Sequence, residues 1–254
     1  MSGTHPILDT EHRRILGTVA HANVLVALDY DGTLAPITER PEEAFMRPAT
    51  RRLLAAVARR YPVVVISGRA LADIEQMVDG IPVWFVYGNH GLESPATTRP
   101  APAEVRAWLE LLRPLTAAGV RIEDKGLSVT LHYRGVADRT RTVSAIEDVV
   151  ATLQGATVIQ GNEAINLLPR GYGNKGVALA EARRAFACDC AIYVGDEDTD
   201  EAAFAAEPGG QTLAIRVEPS QHSRARYHLG SQRDIDELLQ TLLDARDRRM
   251  QGRR

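Results

Sequence analysis

Two aspartates one residue apart, Asp29 and Asp31, close the apolar run Val24 to Leu28 and are followed directly by Gly32 and Thr33. A buried parallel strand delivers carboxylates to its C-terminal edge in this way. Period-2 geometry sends residues i and i+2 to one side, and the glycine lets the backbone turn away, so Asp29 and Asp31 are expected to point together. Carboxylates that close repel each other unless a cation intervenes, and the stretch therefore calls for a metal ion, a basic partner, or both. Three further groups have complementary chemistry: Ser67 after Pro62 to Ile66, Lys175 where a helix opens, and the acidic turn Asp196 to Asp200 after Ala191 to Val194. All four fall where ligands sit in an open α/β sheet, at the carboxyl ends of strands or beside them. The set suits a phosphoryl group. A carboxylate-held divalent cation and a lysine ammonium neutralise its charge, and Ser67 with Gly68 offers a hydroxyl and amides. An aspartate so supported can attack phosphorus, and Asp31 is placed to protonate the leaving oxygen and later to activate water.

The elements that must position these groups follow from periodicity. Helices are predicted at about 10–20, 49–60 and 70–78, alternating with strands at 24–28, 62–66 and 83–87, the last ending in Gly88-Asn89-His90-Gly91. Short loops between alternating strands and helices imply right-handed crossovers and a parallel sheet. The Pro-, Thr- and Ala-rich stretch 94–102 reads as a linker. Beyond it the order becomes helix 103–117 with a kink at Pro114, strands 120–124 and 127–133, helix 137–153, and strands 157–160 and 164–168. This αββαββ order suits an antiparallel sheet with helices on one face. The alternation then resumes with helix 174–186, strands 191–194 and 212–217, and a final helix 234–248. The fold class read from this is α/β, a Rossmannoid core with a parallel sheet carrying an inserted α+β domain, with core at 1–97 and 170–254 and the insert at 98–169.

Composition narrows the function classes. With 254 residues, 44% hydrophobic and 25% charged, the chain can bury a full core without staples. A formal charge of -3 gives no electrostatic reason to expect nucleic acid or an anionic membrane as partner. Cys188 and Cys190, one residue apart, suit neither an ordinary disulfide nor a four-ligand zinc site. Met1 to Arg14 lacks the apolar core of a signal peptide, and no apolar run approaches a membrane span. The expectation is a cytoplasmic protein, monomeric or weakly dimeric. Arg246, Arg248, Arg249, Arg253 and Arg254 are read as a solvated, fraying helix end.

Asp29-Tyr-Asp31-Gly-Thr33, Ser67, Asn174-Lys175-Gly176 and Gly195-Asp196-Glu-Asp-Thr-Asp200 resemble, in order, the four motifs of the haloacid dehalogenase (HAD) superfamily of phosphohydrolases. That resemblance implies Asp29 as nucleophile, Asp31 as general acid/base, and Ser67 and Lys175 as phosphoryl stabilisers. It also implies Mg2+ as cofactor, held by Asp29, the backbone carbonyl of Asp31, and Asp196, with Asp200 assisting. Ser67-Gly68-Arg69, Gly88 to Glu93, Lys125-Gly126 and His132-Tyr133-Arg134 are further similar to the trehalose-6-phosphate phosphatase family. On that resemblance Arg69, Asn89, His90, Gly91, Glu93, His132, Arg134, Asn162 and Asn166 become candidates for substrate binding, and the partner is a small-molecule sugar phosphate. One departure stands out. The family carries Gly-Lys-x-Val-x-Glu-x-x-Pro in its last cap strand, whereas this chain reads Gly161-Asn162-Glu163-Ala164-Ile165-Asn166-Leu167-Leu168-Pro169. Two amides keep hydrogen-bonding capacity and lose charge assistance. Trehalose 6-phosphate is thus the first expectation and a trehalose-like pseudo-disaccharide phosphate, such as an aminocyclitol phosphate of the validoxylamine type, the alternative. A phospho-accepting or sugar-phosphate-sensing protein that is no enzyme is the reading from another class.

Overall fold

The structure is a computed structural model, and it describes residues 3–38, 40–94, 102–161, 163–206 and 211–251. The first elements in chain order are β1 (His5–Pro6), α1 (Arg13–Ala20), β2 (Val24–Leu28), α2 (Pro48–Ala58), β3 (Val63–Ile66), α3 (Leu71–Met77) and β4 (Phe85–Tyr87). Next come α4 (Ala103–Leu112), β5 (Arg121–Asp124), β6 (Val129–His132), α5 (Arg139–Val150), β7 (Ala156–Gly161) and β8 (Ala164–Pro169). The last are α6 (Lys175–Ala185), β9 (Cys190–Gly195), α7 (Glu201–Phe204), β10 (Thr212–Val217), β11 (Tyr227–Leu229) and α8 (Ile235–Gln251). They form two compact units, Met1–Ser94 with Asn174–Arg254, and Pro95–Gly173.

In the first unit a seven-stranded sheet runs β1-β11-β10-β9-β2-β3-β4, with every neighbouring pair parallel. Strand residues alternate between two cores. Val24, Val26 and Leu28 of β2 join a cluster with Leu54, Val57, Leu238 and Leu242 from α2 and α8, while Leu25 and Ala27 join Ala178, Leu179 and Ala182 of α6. Burial on both faces explains why β2, β3 and β9 read as continuous apolar runs, each such side chain contributing roughly 1.5–3 kcal/mol. From β2 the chain winds one way to β3 and β4, and after the second unit it resumes on the other side at β9. The topological switch point therefore lies between β2 and β9, beside Asp29 and Asp196.

The second unit is a four-stranded antiparallel sheet in the order β5-β6-β8-β7. Val129, Leu131, Ile165 and Leu167 pack with Val105, Trp108 and Leu112 of α4 and with Ile146 and Val150 of α5. Strand alternation then sends Thr130, His132, Ala164 and Asn166 to the opposite face.

Local differences from the sequence reading have simple causes. Strands β1 and β11 were not expected, because two or three residues carry no periodic signal. Helix α2 starts at Pro48 itself, where a missing N–H costs nothing in the first turn. The helix expected to reach residue 117 stops at Leu112 and continues as a 3-10 turn over Arg113–Ala118, since Pro114 removes a donor. Arg246, expected to be solvated, lies 4.2 Å from the Tyr61 ring centroid. Residues 95–101 of the expected linker lie outside the described residues. Among the described residues no helix is long and apolar enough to cross a membrane.

Candidate active site

Asp29 is the first residue past β2, and its backbone N–H still donates to the Val194 carbonyl at 2.9 Å. It has the parity of Leu25 and Ala27, whose side chains meet α6. Helix α6 is capped by Asn174, whose side chain accepts from the Val177 N–H at 3.1 Å, so its first residue, Lys175, sits at the edge of the sheet. The Lys175 ammonium lies 2.9 Å from Asp29 Oδ1 and 2.8 Å from Asp200 Oδ1, and all three side chains are buried.

Asp200 is saturated by its own neighbours. Its Oδ1 accepts from Lys175 Nζ and, at 2.6 Å, from the Tyr193 hydroxyl, and its Oδ2 accepts the backbone N–H groups of Asp196 at 3.0 Å and Glu197 at 2.9 Å. The last bond is half of a capping box between Glu197 and Asp200. Asp200 therefore fixes both the lysine and the turn that carries Asp196.

Asp29, Asp196 and Asp200 each offer a carboxylate oxygen within 4.8 Å of the others. One ammonium faces three carboxylates. Burial is the largest influence on Asp29 and pushes its carboxyl up; Lys175 pulls it back and Asp200 adds to the rise, leaving it at about 8. Burial, then Asp29 and Asp200, raise Asp196 well above the carboxylate range. Burial alone would discharge Lys175, but Asp200 and Asp29 outweigh it and hold the ammonium charged. Asp196 Oδ1 is shut off from solvent and accepts no hydrogen bond. An orphaned buried oxygen in a cluster with excess negative charge fits an oxygen-seeking divalent cation. Gly32 makes room for the Asp196 carboxylate: its φ is +75°, and a Cβ there would overlap that group. A cavity of about 340 Å³ opens alongside, lined among others by Gly32, Asp196, Arg216 and Gln232.

Asp31 is paired away from the lysine. The strand ends at Leu28, so its alternation does not govern residue 31. The Asp31 carboxylate accepts from Arg69 Nε at 2.7 Å and Arg69 Nη2 at 2.6 Å, and lies outside the acidic triad.

Ser67, fully buried past β3, accepts the Arg69 N–H on its hydroxyl at 3.1 Å and the His90 N–H on its carbonyl at 2.9 Å. Asn89 and His90 both have left-handed backbones, with φ of 51° and 58°. Non-glycine residues there cost of order 1–3 kcal/mol each and cluster at ligand-binding turns. The conformation lays the His90 ring over Gly68, where an added Cβ would stand 2.6 Å from His90 Cε1. Gly91 completes the turn, its N–H donating to the Gly88 carbonyl at 2.9 Å. Glu93 is occupied locally: its Oε2 accepts the Leu71 N–H at 2.7 Å, closing the start of α3.

The remaining candidates belong to the second unit. His132 Nε2 lies 2.6 Å from Glu123 Oε2, and Arg134 Nε donates to Glu163 Oε2 at 3.0 Å. Asn166 is buried and its Oδ1 accepts from the Thr130 hydroxyl at 2.9 Å. Asn162 lies outside the described residues. Sequence reasoning missed Tyr193 and the Arg69–Asp31 pair. For Tyr193 a signal existed, a phenol inside an otherwise apolar run, since a buried tyrosine needs a polar partner.

The trehalose-phosphatase family model matches residues 27–233, a span that runs from β2 through the acidic turn. The chain belongs to the trehalose-phosphatase family. It is 34% identical over 210 residues to the trehalose-phosphate phosphatase of Mycobacterium bovis (strain BCG), a match covering 75% of this chain and 53% of that protein. The chain thus spans about half the length of the curated relatives it matches. Among solved structures, an Aspergillus fumigatus trehalose-6-phosphate phosphatase is 26% identical with a TM-score of 0.65, covering 95% of this chain and 99% of that one. The C-terminal domain of the Candida albicans enzyme shares the fold at a TM-score of 0.79 and 22% identity, covering 96% and 99%. A HAD-superfamily phosphatase from Bacteroides thetaiotaomicron, at 15% identity and a TM-score of 0.63, shares it over 87% of this chain and 94% of its own. The fold of this trehalose-phosphatase family member is that of the HAD phosphatases with a cap domain.

Proposed function

We propose that this chain is a Mg2+-dependent phosphomonoesterase that hydrolyses a sugar phosphate, trehalose 6-phosphate first, through an aspartyl phosphate on Asp29. The observation that carries the reading is the Lys175 ammonium shared between Asp29 and Asp200 beside the orphaned Asp196 oxygen. Mg2+ would be held by Asp29, Asp196 and the Asp31 backbone carbonyl, and would neutralise charge on the phosphoryl oxygens. Lys175 holds one Asp29 oxygen and leaves the other as nucleophile. That oxygen bonds to phosphorus as the phosphorus–sugar oxygen bond breaks, and the departing electron pair takes a proton from Asp31. The Ser67 hydroxyl accepts from the Arg69 backbone, so its own proton is available to a phosphoryl oxygen. In the second half, the Asp31 carboxylate takes a proton from water as that water attacks phosphorus, and the bond to Asp29 breaks to release inorganic phosphate. His90, Asn89 and Gly91 line the turn over Ser67 and Gly68, while His132, Arg134, Asn162 and Asn166 are assigned to the sugar.

A pseudo-disaccharide phosphate is the second reading, favoured by the uncharged Asn166–Thr130 pair where the family pattern has a glutamate. The test is phosphate release with Mg2+ from trehalose 6-phosphate, pseudo-disaccharide phosphates and monosaccharide phosphates side by side. Turnover of one of these, lost in Asp29→Asn and on chelation, is the expected result. Binding without turnover across the panel would replace the enzyme by a sensor.

A further inference from the structure

We propose that Arg69 is a positioning residue that exchanges partners: its guanidinium holds the Asp31 carboxylate before substrate arrives and passes to phosphoryl oxygens when it binds. The inference rests on the proposed phosphatase chemistry and adds to it a step of assembly. Both Asp31 oxygens face guanidinium N–H groups, at 2.7 and 2.6 Å, in a two-point fork. With one lone pair of each oxygen engaged by the fork, the acid assigned to Asp31 is oriented toward Arg69 and keeps its remaining lone pairs for a further partner.

The clamp is anchored on the phosphoryl side of the site. The Arg69 N–H donates to Ser67 Oγ at 3.1 Å, and the Arg69 carbonyl accepts the Asn89 N–H at 2.6 Å. The guanidinium carbon stands 5.6 Å from the centroid of the Tyr30 ring, whose hydroxyl is tied to the Ala44 carbonyl at 3.1 Å. Backbone and ring fix the fork between Ser67, which receives a phosphoryl oxygen, and Asp31, which serves the leaving group. The Arg69 side chain is 12% exposed and that of Asp31 35%, so the acid is the more accessible of the two. A planar guanidinium pairs with phosphate in the same two-point geometry as with carboxylate, which makes the phosphoryl group the direct competitor for Arg69. Exchange frees Asp31 only when a phosphoryl group is present.

Two measurements test this. The first uses protein with 15N-labelled arginine, Mg2+ and inorganic phosphate as the probe, following the Arg69 Nε–H resonance assigned by its loss in Arg69→Gln. Expected are a shift on Asp31→Asn, which breaks the fork, and a shift of the wild-type resonance on phosphate saturation. A resonance indifferent to phosphate overturns the exchange, whether or not the protein turns over any substrate. The second is kinetic. Arg69→Lys should lower the rate of the first, phosphoryl-transfer half-reaction on the sugar phosphate by up to about 10²- to 10⁴-fold, the contribution of a positioned general acid. Para-nitrophenyl phosphate, whose leaving group needs no proton, should lose much less in that same half-reaction, read as the burst of para-nitrophenolate released before Asp31 acts as base. In an Asp31→Asn background Arg69→Lys should cost nothing further on the sugar phosphate. Equal losses on both substrates, or losses that multiply in the double variant, would leave Arg69 a structural tether. A rise in KM alone, equal for both substrates, would leave it a phosphate ligand with no hold on Asp31. Failure of the wild type on every phosphate would instead sink the phosphatase reading, and the resonance experiment would still decide the exchange.

Discussion

Replacing Lys175 by methionine keeps a linear side chain and removes the cation from a buried cluster. In the structure its ammonium lies 2.9 Å from Asp29 and 2.8 Å from Asp200, with the side chains of all three at most 5% exposed. Among the described residues, Asp200 then keeps the Tyr193 hydroxyl and the backbone N–H groups of Asp196 and Glu197 as donors, and no cationic side chain replaces the lysine beside Asp29. Removing one partner of a buried pair costs about 3–5 kcal/mol, because the other charge stays behind uncompensated. At roughly 2–4 °C per kcal/mol for a chain of this size, the melting temperature without metal should fall by roughly 6–20 °C. Mg2+ offers a second route to neutrality. A ligand at a hundred times its dissociation constant stabilises by about 2.7 kcal/mol, and the extra negative charge should tighten Mg2+ in the variant, so its thermal gain from Mg2+ should exceed that of the wild type. The readout is fluorescence-monitored unfolding in a Trp108→Phe background, where Trp84 of the first unit is the remaining tryptophan. Phosphatase activity should be lost at every Mg2+ concentration. Wild-type stability without metal, or an equal gain from Mg2+ in both proteins, would show that Lys175 does not neutralise this cluster.

Gly32→Ala combines a left-handed backbone, which costs a side chain about 1–2 kcal/mol, with overlap on Asp196; isothermal titration should show weakened Mg2+ binding by a protein whose circular dichroism is unchanged. Tyr193→Phe keeps the ring edge-on to Phe204 and removes a hydrogen bond to a carboxylate, so chemical denaturation should report a loss of about 1.5–3 kcal/mol. In the second unit, burial works to raise Glu123, but its bond to His132 and the charges of Lys125 and His132 outweigh it and lower the carboxyl from 4.5 to about 2. A depressed carboxyl stabilises the fold above its unfolded value and loses that stability as the pH falls through the folded one. Stability should therefore decline between pH 4.5 and about 2 in the wild type and more shallowly in Glu123→Gln, as measured by acid titration of Trp108 fluorescence in a Trp84→Phe background.

What was legible in the sequence is what strand geometry alone determines. The apolar runs of β2, β3 and β9 had to be buried on both faces, and the residues just past them had to meet at one edge. That logic brings Asp29, Ser67 and Asp196 to that edge, and Lys175 arrives with the helix that packs on the same face. It does not choose partners. Asp31 with Arg69, Tyr193 with Asp200, and Glu93 with the Leu71 N–H are settled by how turns lie against each other after the strands have ended. The short edge strands were invisible for another reason. Their pairing to β10 and to each other is set by neighbours, with no pattern inside two or three residues.

The same division separates chemistry from selectivity. In the first unit every group assigned to phosphoryl transfer is fixed by backbone pairing or by a charged neighbour, and these constraints would serve any phosphate monoester. Discrimination has to come from groups that read hydroxyls, and there the departure from the family pattern has a physical direction. A carboxylate on the last cap strand can only accept hydrogen bonds. Asn166 accepts the Thr130 hydroxyl on its oxygen and carries an amide N–H that a glutamate lacks. On the proposed reading, a contact at that position would add donation toward a sugar oxygen or another acceptor. An analogue that lacks the partner such a site was built for loses far more than one differing by a methylene, because buried polar groups are left unpaired. On the proposed reading, the preference among sugar phosphates would turn on Asn162 and Asn166, the two amides that stand where the family pattern has a lysine and a glutamate.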